Sequence, residues 1–166
     1  MAEPIAIPPD YAARRGLKIQ AEATDLVPIG ENPEGREIRL TEAAARAWAT
    51  MKEEAFEAGV TLVPISGFRS VERQAEIIRA KLAAGQSIDD ILKTVAAPGY
   101  SEHHTGRAVD IGAPGEPPLT ELFAETPAFS WLEAHAPDYG FTLSFARDNP
   151  HGIAYEPWHW CYNLAE

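Results

Sequence analysis

The segment Ser101-Glu102-His103-His104-Thr105-Gly106-Arg107-Ala108-Val109-Asp110 decides how this chain folds, because a polar loop runs directly into a predicted strand. Residues 107–112 alternate in character, and side chains two apart on a strand share a face. One face carries Asp110 toward a cleft, and the other carries Val109 and Ile111 toward a core. The strand is therefore expected to present a carboxylate at the edge of a folded core.

A second segment far along the chain, Glu156-Pro157-Trp158-His159-Trp160, carries another imidazole and another carboxylate. Catalytic zinc takes three protein ligands from His, Asp, Glu or Cys and leaves a fourth position for water. His103, Asp110 and His159 supply such a set, and Glu156 is free to act as a general base. The two segments together predict the site of a one-zinc hydrolase.

The spacing inside the first segment requires a turn. His103 and Asp110 are seven residues apart, so on one continuous strand their side chains would face opposite ways. Gly106 between them predicts the turn that brings both to one ion. Sequence alone does not separate His104 from His103 as the ligand, and we assign His104 a structural role behind the ligands.

Cys161 offers the main alternative interpretation of the same residues. On a strand that starts near Trp158, His159 shares a face with Cys161. A set of one Cys, two His and one Asp would fill all four positions and make a closed structural zinc site. The open site is favoured because neighbours on one strand face lie roughly 7 Å apart, and because Glu156 would have no role in a closed site. Pro157 also excludes the helical His-Glu-x-x-His arrangement.

The rest of the chain predicts helices and strands in blocks, without regular alternation. Predicted helices start at the N-caps Thr41, Ser70, Ser87 and Thr126. Their predicted inward-facing residues are Ala45, Trp48, Met51 and Ala55 in the first, Val71, Ala75, Ile78 and Leu82 in the second, and Phe129 and Leu132 in the last. Predicted strands cover 61–65, 107–112, 141–145 and 158–162. Pro64 restricts its strand to an edge or an irregular position. We expect an α+β domain with a small, mostly antiparallel sheet flanked by helices.

Length and composition bound the domain organisation and the partners. The 166 residues suit one domain, with a proline-rich arm over residues 1–40 packed on a domain over residues 41–166 that carries the predicted zinc site. The net charge of -11 disfavours nucleic acid as a partner, because phosphate-backbone binding depends on Lys and Arg. No segment approaches the roughly 18 apolar residues that a membrane helix needs.

The opening residues also carry an expectation about localisation. Met1 to Pro9 have neither a basic start nor a continuous apolar run, so they do not resemble a signal peptide. We therefore expect a cytoplasmic protein, or an exported one if a leader has been removed. The lone Cys161 fits either compartment, since an exported enzyme can lack disulfides.

The two metal segments resemble one family. Ser101-x-His103-x-x-Gly106-x-Ala108-x-Asp110 followed by Glu156-Pro157-Trp158-His159-Trp160 is similar to the LAS metallopeptidases, and most closely to the VanY-type D-alanyl-D-alanine carboxypeptidases. Ser66-Gly67-Phe68-Arg69-Ser70 with Gln74, and Tyr139-Gly140-Phe141, match the same pattern. The resemblance spans about residues 40–162. Cys161 departs from it, because relatives commonly carry Arg after Trp-His-Trp.

The resemblance implies zinc as cofactor and assigns the reacting groups. Zinc would lower the pKa of its bound water, the nucleophile, to roughly 7, and Glu156 would take the proton of that water and pass it to the leaving amine. By analogy with the family, Arg69 is the second positive group beside the tetrahedral oxyanion.

Substrate contacts follow from the predicted helix that Ser70 caps. Its N-terminus offers free backbone N-H groups to an anion, so a substrate carboxylate is expected there, near Gln74. Ser101 is expected to add a hydrogen bond. Tyr155, Trp158 and Trp160 are the candidate walls of the cleft.

We expect a zinc D,D-carboxypeptidase that removes the terminal D-alanine of peptidoglycan stem peptides or their cytoplasmic precursors. Alternatives within the family are D,D-dipeptidases, L,D-carboxypeptidases and phage endolysins. An alternative of another class is a zinc-stabilised binding module, as in the hedgehog signalling domain, which resembles these peptidases in fold. That alternative predicts bound metal without turnover.

Overall fold

A four-stranded antiparallel sheet forms the centre of the structure, a computed structural model that describes residues 5–163. Its strands are β3 (Val63–Ser66), β4 (Ala108–Gly112), β5 (Phe141–Leu143) and β6 (His159–Tyr162). They lie in the order β3-β4-β6-β5, and every neighbouring pair is antiparallel. β3 is an edge strand with an irregularity between Pro64 and Ser66, as the proline predicts. The expected α+β class is confirmed.

Helices pack beside this sheet. They are α1 (Tyr11–Arg15), α2 (Glu42–Glu57), α3 (Val71–Ala83), α4 (Ile88–Ile91) and α5 (Pro127–His135). The predicted N-caps Thr41, Ser70, Ser87 and Thr126 all stand directly before helices. Three of them accept the expected backbone hydrogen bond; the side chain of Thr41 does not.

The main core lies between α2, α5 and one face of the sheet. Val109 and Ile111 of β4 are buried in it, as the alternation predicts.

The buried faces of two helices differ from the prediction. Ala44, rather than Ala45, is the fully buried residue at the start of α2, because its spacing of four to Trp48 places both on one helix face. Leu82 near the end of α3 is 37% exposed, so it does not join Ile78 inside.

The predicted arm contains regular structure. β1 (Leu26–Glu31) and β2 (Glu37–Thr41) form an antiparallel hairpin, and Leu40 is fully buried in the main core. The hairpin is thus built into the domain, and its short strands are compatible with Pro28 and Pro33. Residues 1–4 and 164–166, which belong to the predicted arm and to the end of the predicted domain, lie outside the described residues. The division at residue 40 stays a prediction.

No helix in residues 5–163 is long and apolar enough to cross a membrane. The expected localisation stays a prediction.

Candidate active site

The register of the central sheet brings two of the predicted ligands together. Asp110 of β4 stands directly opposite His159 of β6, so both side chains rise from the same face. Ser66 of β3 pairs with Asp110 on its other side. The opposite face of these strands carries Val109 and Trp160 into the core. One row across three strands therefore forms the floor of the site.

His103 reaches this row from a short 3-10 helix, Glu102–Thr105, that leads into β4. Gly106 ends that helix at a φ of 69°, a left-handed conformation that glycine adopts without strain. This is the turn that the sequence predicts. His103 Nδ1 donates to the carbonyl of Gly67 at 2.7 Å, which leaves Nε2 free to face Asp110. A Cβ at Gly67 would lie 2.6 Å from the backbone oxygen of Arg39, so only glycine fits there.

His159 is fixed in the same way from the other side. Its Nε2 donates to Glu102 Oε1 at 2.8 Å, which leaves Nδ1 facing Asp110. Burial alone would lower the pKa of His159, but hydrogen bonds and charge from Asp110 and Glu102 outweigh it and raise the pKa to about 10. Without a metal, the imidazole is therefore held as a cation between two carboxylates.

The three predicted ligands converge on one point. His103 Nε2 lies 3.3 Å from Asp110 Oδ2, and His159 Nδ1 lies 3.2 Å from Asp110 Oδ1. One ligand atom from each residue lies within 4.8 Å of the other two. Ligands about 2.0–2.1 Å from a tetrahedral zinc stand about 3.3 Å apart. The donor set and its spacing fit zinc.

The pairing of one oxygen atom at the centre supports the same conclusion. Asp110 Oδ1 is buried, and apart from the approach of His159 Nδ1 at 3.2 Å it has no partner among the described residues. Burial would raise the pKa of Asp110, but the neighbouring His103 and His159 hold it well below its usual range. A histidine that binds a metal is neutral, so this buried, charged oxygen then needs another cation as its partner. A metal ion at this point would provide that partner.

Cys161 does not belong to this cluster. The cluster of potential ligands found among residues 5–163 contains His103, Asp110 and His159 only. Cys161 stands opposite Ala108, two pairs along β4 and β6 from the pair of Asp110 and His159, and burial raises the pKa of its thiol to about 12. The geometry favours the open site over the closed alternative.

Glu156 lies beside the ligands because of a tight turn. The backbone N-H of His159 donates to the carbonyl of Glu156 at 3.2 Å, and Pro157 occupies the second position of this turn, where proline is favoured. Glu156 Oε1 therefore lies 3.7 Å from His159 Nδ1. Burial, with a smaller contribution from Asp110, raises the pKa of Glu156 to about 7 against the opposing charges of His159 and Arg69. A carboxyl group with this pKa can exchange a proton at neutral pH.

Arg69 is held above the same cavity. Its Nη1 donates to Gln74 Oε1 at 2.9 Å, and its Nη2 lies 3.4 Å from Ser66 Oγ. Gln74 also donates to the carbonyl of Ala96 at 2.7 Å. Both ends of the Gln74 amide are thus engaged within the protein, so its immediate task is to orient Arg69.

Ser101 and His104 anchor the 3-10 helix. Ser101 Oγ accepts from the backbone N-H of His103 at 3.2 Å, as an N-cap does. His104 accepts from Gly99 N at 3.1 Å and donates from Nδ1 to the carbonyl of Arg69 at 2.8 Å. His104 is fully buried and lies outside the ligand cluster. Its contacts are those of the structural role that the sequence predicts.

A cavity of about 430 Å³ covers the cluster. Of the predicted site residues, it is lined by Arg69, Gln74, Ser101, His103, Asp110, Glu156, Trp158 and His159. The structure does not bring the other two aromatic candidates to this cavity. Trp160 is buried in the core, because it lies on the face of β6 opposite His159. Tyr155 packs partly against the core, with the guanidinium of Arg147 4.2 Å from its ring centre.

Glu102 is the functional residue that the sequence interpretation missed. It accepts hydrogen bonds from His159 at 2.8 Å and from the Ser144 hydroxyl at 2.5 Å. Burial would raise the pKa of Glu102, but these hydrogen bonds and the charge of His159 lower it to about 2. A carboxylate on the outer nitrogen of a histidine ligand fixes its orientation and raises its basicity. Its position directly before His103 in the sequence could have indicated this role.

We expect replacement of Glu102 by alanine to weaken zinc binding about 10–100-fold, because His159 would lose the acceptor that aims Nδ1 at the metal. Ser144→Ala should produce a smaller loss, since it removes one hydrogen bond from Glu102. A competition titration against a chromophoric chelator measures both variants. An unchanged dissociation constant in Glu102→Ala would refute this role.

Zinc binding should also depend on pH, because the metal and a proton compete for Nδ1 of His159. The raised pKa of about 10 means that the metal-free protein must release this proton to bind zinc. Affinity is therefore expected to rise about tenfold per pH unit between pH 7.5 and 9. Calorimetry in two buffers of different ionisation enthalpy would measure the released proton. A release of zero would contradict the placement of His159.

Comparison with known proteins places this geometry in a family. The family model for VanY, a D-alanyl-D-alanine carboxypeptidase, matches residues 37–165. The putative carboxypeptidase YodJ of Bacillus subtilis (strain 168) is 36% identical over 123 residues, which cover 72% of this chain and 44% of that protein. The chain thus spans less than half the length of this relative.

Solved structures share the fold. The LdcB LD-carboxypeptidase, whose structure addresses peptidoglycan recognition, matches with a TM-score of 0.76 at 34% identity, over 85% of this chain and 69% of that chain. A mutant of the vancomycin resistance D,D-pentapeptidase VanY in complex with Zn(II) matches with a TM-score of 0.65 at 27% identity, over 84% and 79%. The family match extends over most of this chain and includes every residue of the buried cluster. The chain therefore belongs to the VanY family of D-alanyl-D-alanine carboxypeptidases.

Proposed function

We propose that this chain is a zinc-dependent D,D-carboxypeptidase that hydrolyses the terminal D-Ala-D-Ala bond of peptidoglycan stem peptides or their precursors. The observation that carries the proposal is the buried cluster of His103, Asp110 and His159 with Glu156 beside it in one cavity. A purely structural metal site would need no such base. The family model supports the D,D specificity.

The residues around the cluster have distinct roles in this reaction. His103, Asp110 and His159 would hold zinc, which when bound supplies a Lewis acid and lowers the pKa of water. Glu156 accepts a proton from the attacking water and delivers it to the leaving amine. Arg69 offers positive charge to the oxyanion that develops on the substrate carbonyl.

Arg69 is already oriented for this role before substrate binds. Its hydrogen bond to Gln74 and its close approach to Ser66 fix the guanidinium, so little reorganisation is needed in the transition state. Gln74 therefore acts through Arg69, and any direct contact of Gln74 with a substrate carboxylate stays a prediction.

L,D-carboxypeptidase activity is the second candidate, because the LdcB LD-carboxypeptidase matches this structure with a TM-score of 0.76. A panel of a D-Ala-D-Ala pentapeptide, a tetrapeptide ending in one D-alanine, and free D-Ala-D-Ala separates the possibilities. The proposal predicts release of D-alanine from the pentapeptide at the highest kcat/KM. An inert pentapeptide beside a hydrolysed tetrapeptide would refute D,D specificity and leave the L,D alternative.

A further inference from the structure

Leu119 stands in a loop that follows β4 and has a backbone conformation unusual for its side chain. Its φ is 58°, which lies in the left-handed region that bulky L-residues avoid. Among residues 5–163, the other non-glycine residue with positive φ is Asp148, and aspartate tolerates this region better. Leu119 is thus the residue whose side chain conflicts most with its backbone.

The side chain of Leu119 does not compensate for this strain by burial. It is 46% exposed, so the fold gains little from placing a leucine there. Pro117 and Pro118 precede it and fix the backbone that leads to it, and Thr120 Oγ1 closes the loop with a 3.4 Å contact to the carbonyl of Pro117. Nothing in these local contacts requires an apolar side chain at position 119.

The position of Leu119 in the fold explains why an apolar side chain stands there. Of the large apolar residues that are exposed in the described structure, Leu119 is the one that lines the cavity over His103, Asp110 and His159. Leu122, three residues further on, is 51% exposed and does not line it. Trp158 and Phe145 are among the other apolar residues that line the same cavity. Strained residues persist where function selects them.

We propose that Leu119 is a substrate-binding residue that packs against an apolar part of the bound peptide. The inference rests on the proposed peptidase function and identifies one wall of its substrate site. Its left-handed backbone directs the side chain at the cavity, and bound peptide covers the surface that Leu119 otherwise exposes. The strain is thus retained for substrate affinity.

Two substitutions distinguish the effect of the apolar side chain from the effect of the strained backbone. Leu119→Asn keeps a residue that tolerates the left-handed conformation but removes the apolar surface, and Leu119→Gly removes both the surface and the strain. We expect KM for the D-Ala-D-Ala pentapeptide to rise about tenfold in both variants, the effect of losing partial burial of one leucine. The value of kcat should stay within about twofold, because the reacting groups are untouched.

Stability provides the second readout. Leu119→Gly should leave the melting temperature within about 2 °C of that of the unaltered protein, since relief of the strain offsets the greater entropy of the unfolded chain and little packing is lost. Leu122→Asn is the control for exposed leucine, and Asp148→Gly is the control for positive φ; both should leave KM unchanged. An unchanged KM in both Leu119 variants would overturn the proposal. So would a melting temperature several degrees lower in Leu119→Gly, because packing would then explain the conformation.

Failure of the proposed function gives a different result. The unaltered protein would then hydrolyse no peptide of the panel, and calorimetry with the same peptides would show whether they bind. Binding that Leu119→Asn weakens would support the role of Leu119 without hydrolysis. If no peptide binds, the inference falls together with the proposed function.

Discussion

Glu156→Gln is expected to reduce kcat for the D-Ala-D-Ala pentapeptide by about 10²–10⁴-fold while one zinc ion per chain and KM are retained. The amide keeps the size of the side chain but does not accept the proton of the attacking water. Glu156 lies 3.7 Å from the Nδ1 of His159, so it is placed to act beside the metal position. Steady-state kinetics together with metal analysis measure both parts of the prediction.

A stability measurement on the metal-free protein excludes misfolding as the cause. The folded pKa of Glu156 is raised to about 7 from 4.5, so stability is lost as the pH rises from about 4.5 through 7. Glu156→Gln removes this pH dependence, and the variant should unfold at a higher temperature than the unaltered protein at pH 8. Unchanged hydrolysis in Glu156→Gln or Glu156→Ala with zinc bound would show that Glu156 is not the base. Absence of hydrolysis in the unaltered, zinc-loaded protein would favour the zinc-stabilised binding module.

Asp110→Asn is expected to have the second large effect. Its zinc affinity should fall by more than the roughly 100-fold that is lost when a residue hydrogen-bonded to a ligand is removed. Hydrolysis should be lost in parallel. The carboxylate lies between His103 and His159 at 3.3 and 3.2 Å, and its Oδ1 has no other partner among the described residues. An amide supplies a weaker, uncharged ligand. The chelator titration measures the loss directly.

An exposed carboxylate provides the matched control. Asp138 follows α5 and is exposed to solvent, so Asp138→Asn removes the same charge without touching the cluster. Its zinc affinity and kcat should equal those of the unaltered protein. If Asp110→Asn kept normal affinity, Asp110 would not be a ligand.

The sequence alone predicted those parts of the site in which the direction of a side chain follows from local backbone geometry. The alternation around Asp110 placed the carboxylate on the cleft face and Val109 in the core, and Gly106 predicted the turn that brings His103 to it. Pro157 after Glu156 excluded a helix, and the segment forms a turn. Each of these inferences needs only neighbouring residues and standard backbone geometry.

Contacts between segments that are distant in sequence could not be predicted in this way. Glu102 contacts His159 across 57 positions of sequence, and the amide of Gln74 donates to Ala96 in the loop that follows α4. Trp160 belongs to a recognisable motif, yet its side chain packs in the core. Such contacts depend on how strands pair and loops meet, which periodicity does not specify.

X-ray absorption at the zinc edge of the reconstituted protein tests the central claim most directly. The account predicts one zinc per chain with only nitrogen and oxygen neighbours at about 2.0–2.1 Å, one of them an exchangeable water. A sulfur neighbour at about 2.3 Å would instead identify Cys161 as a ligand and the site as closed. That result, or failure to bind one zinc ion, would contradict the account.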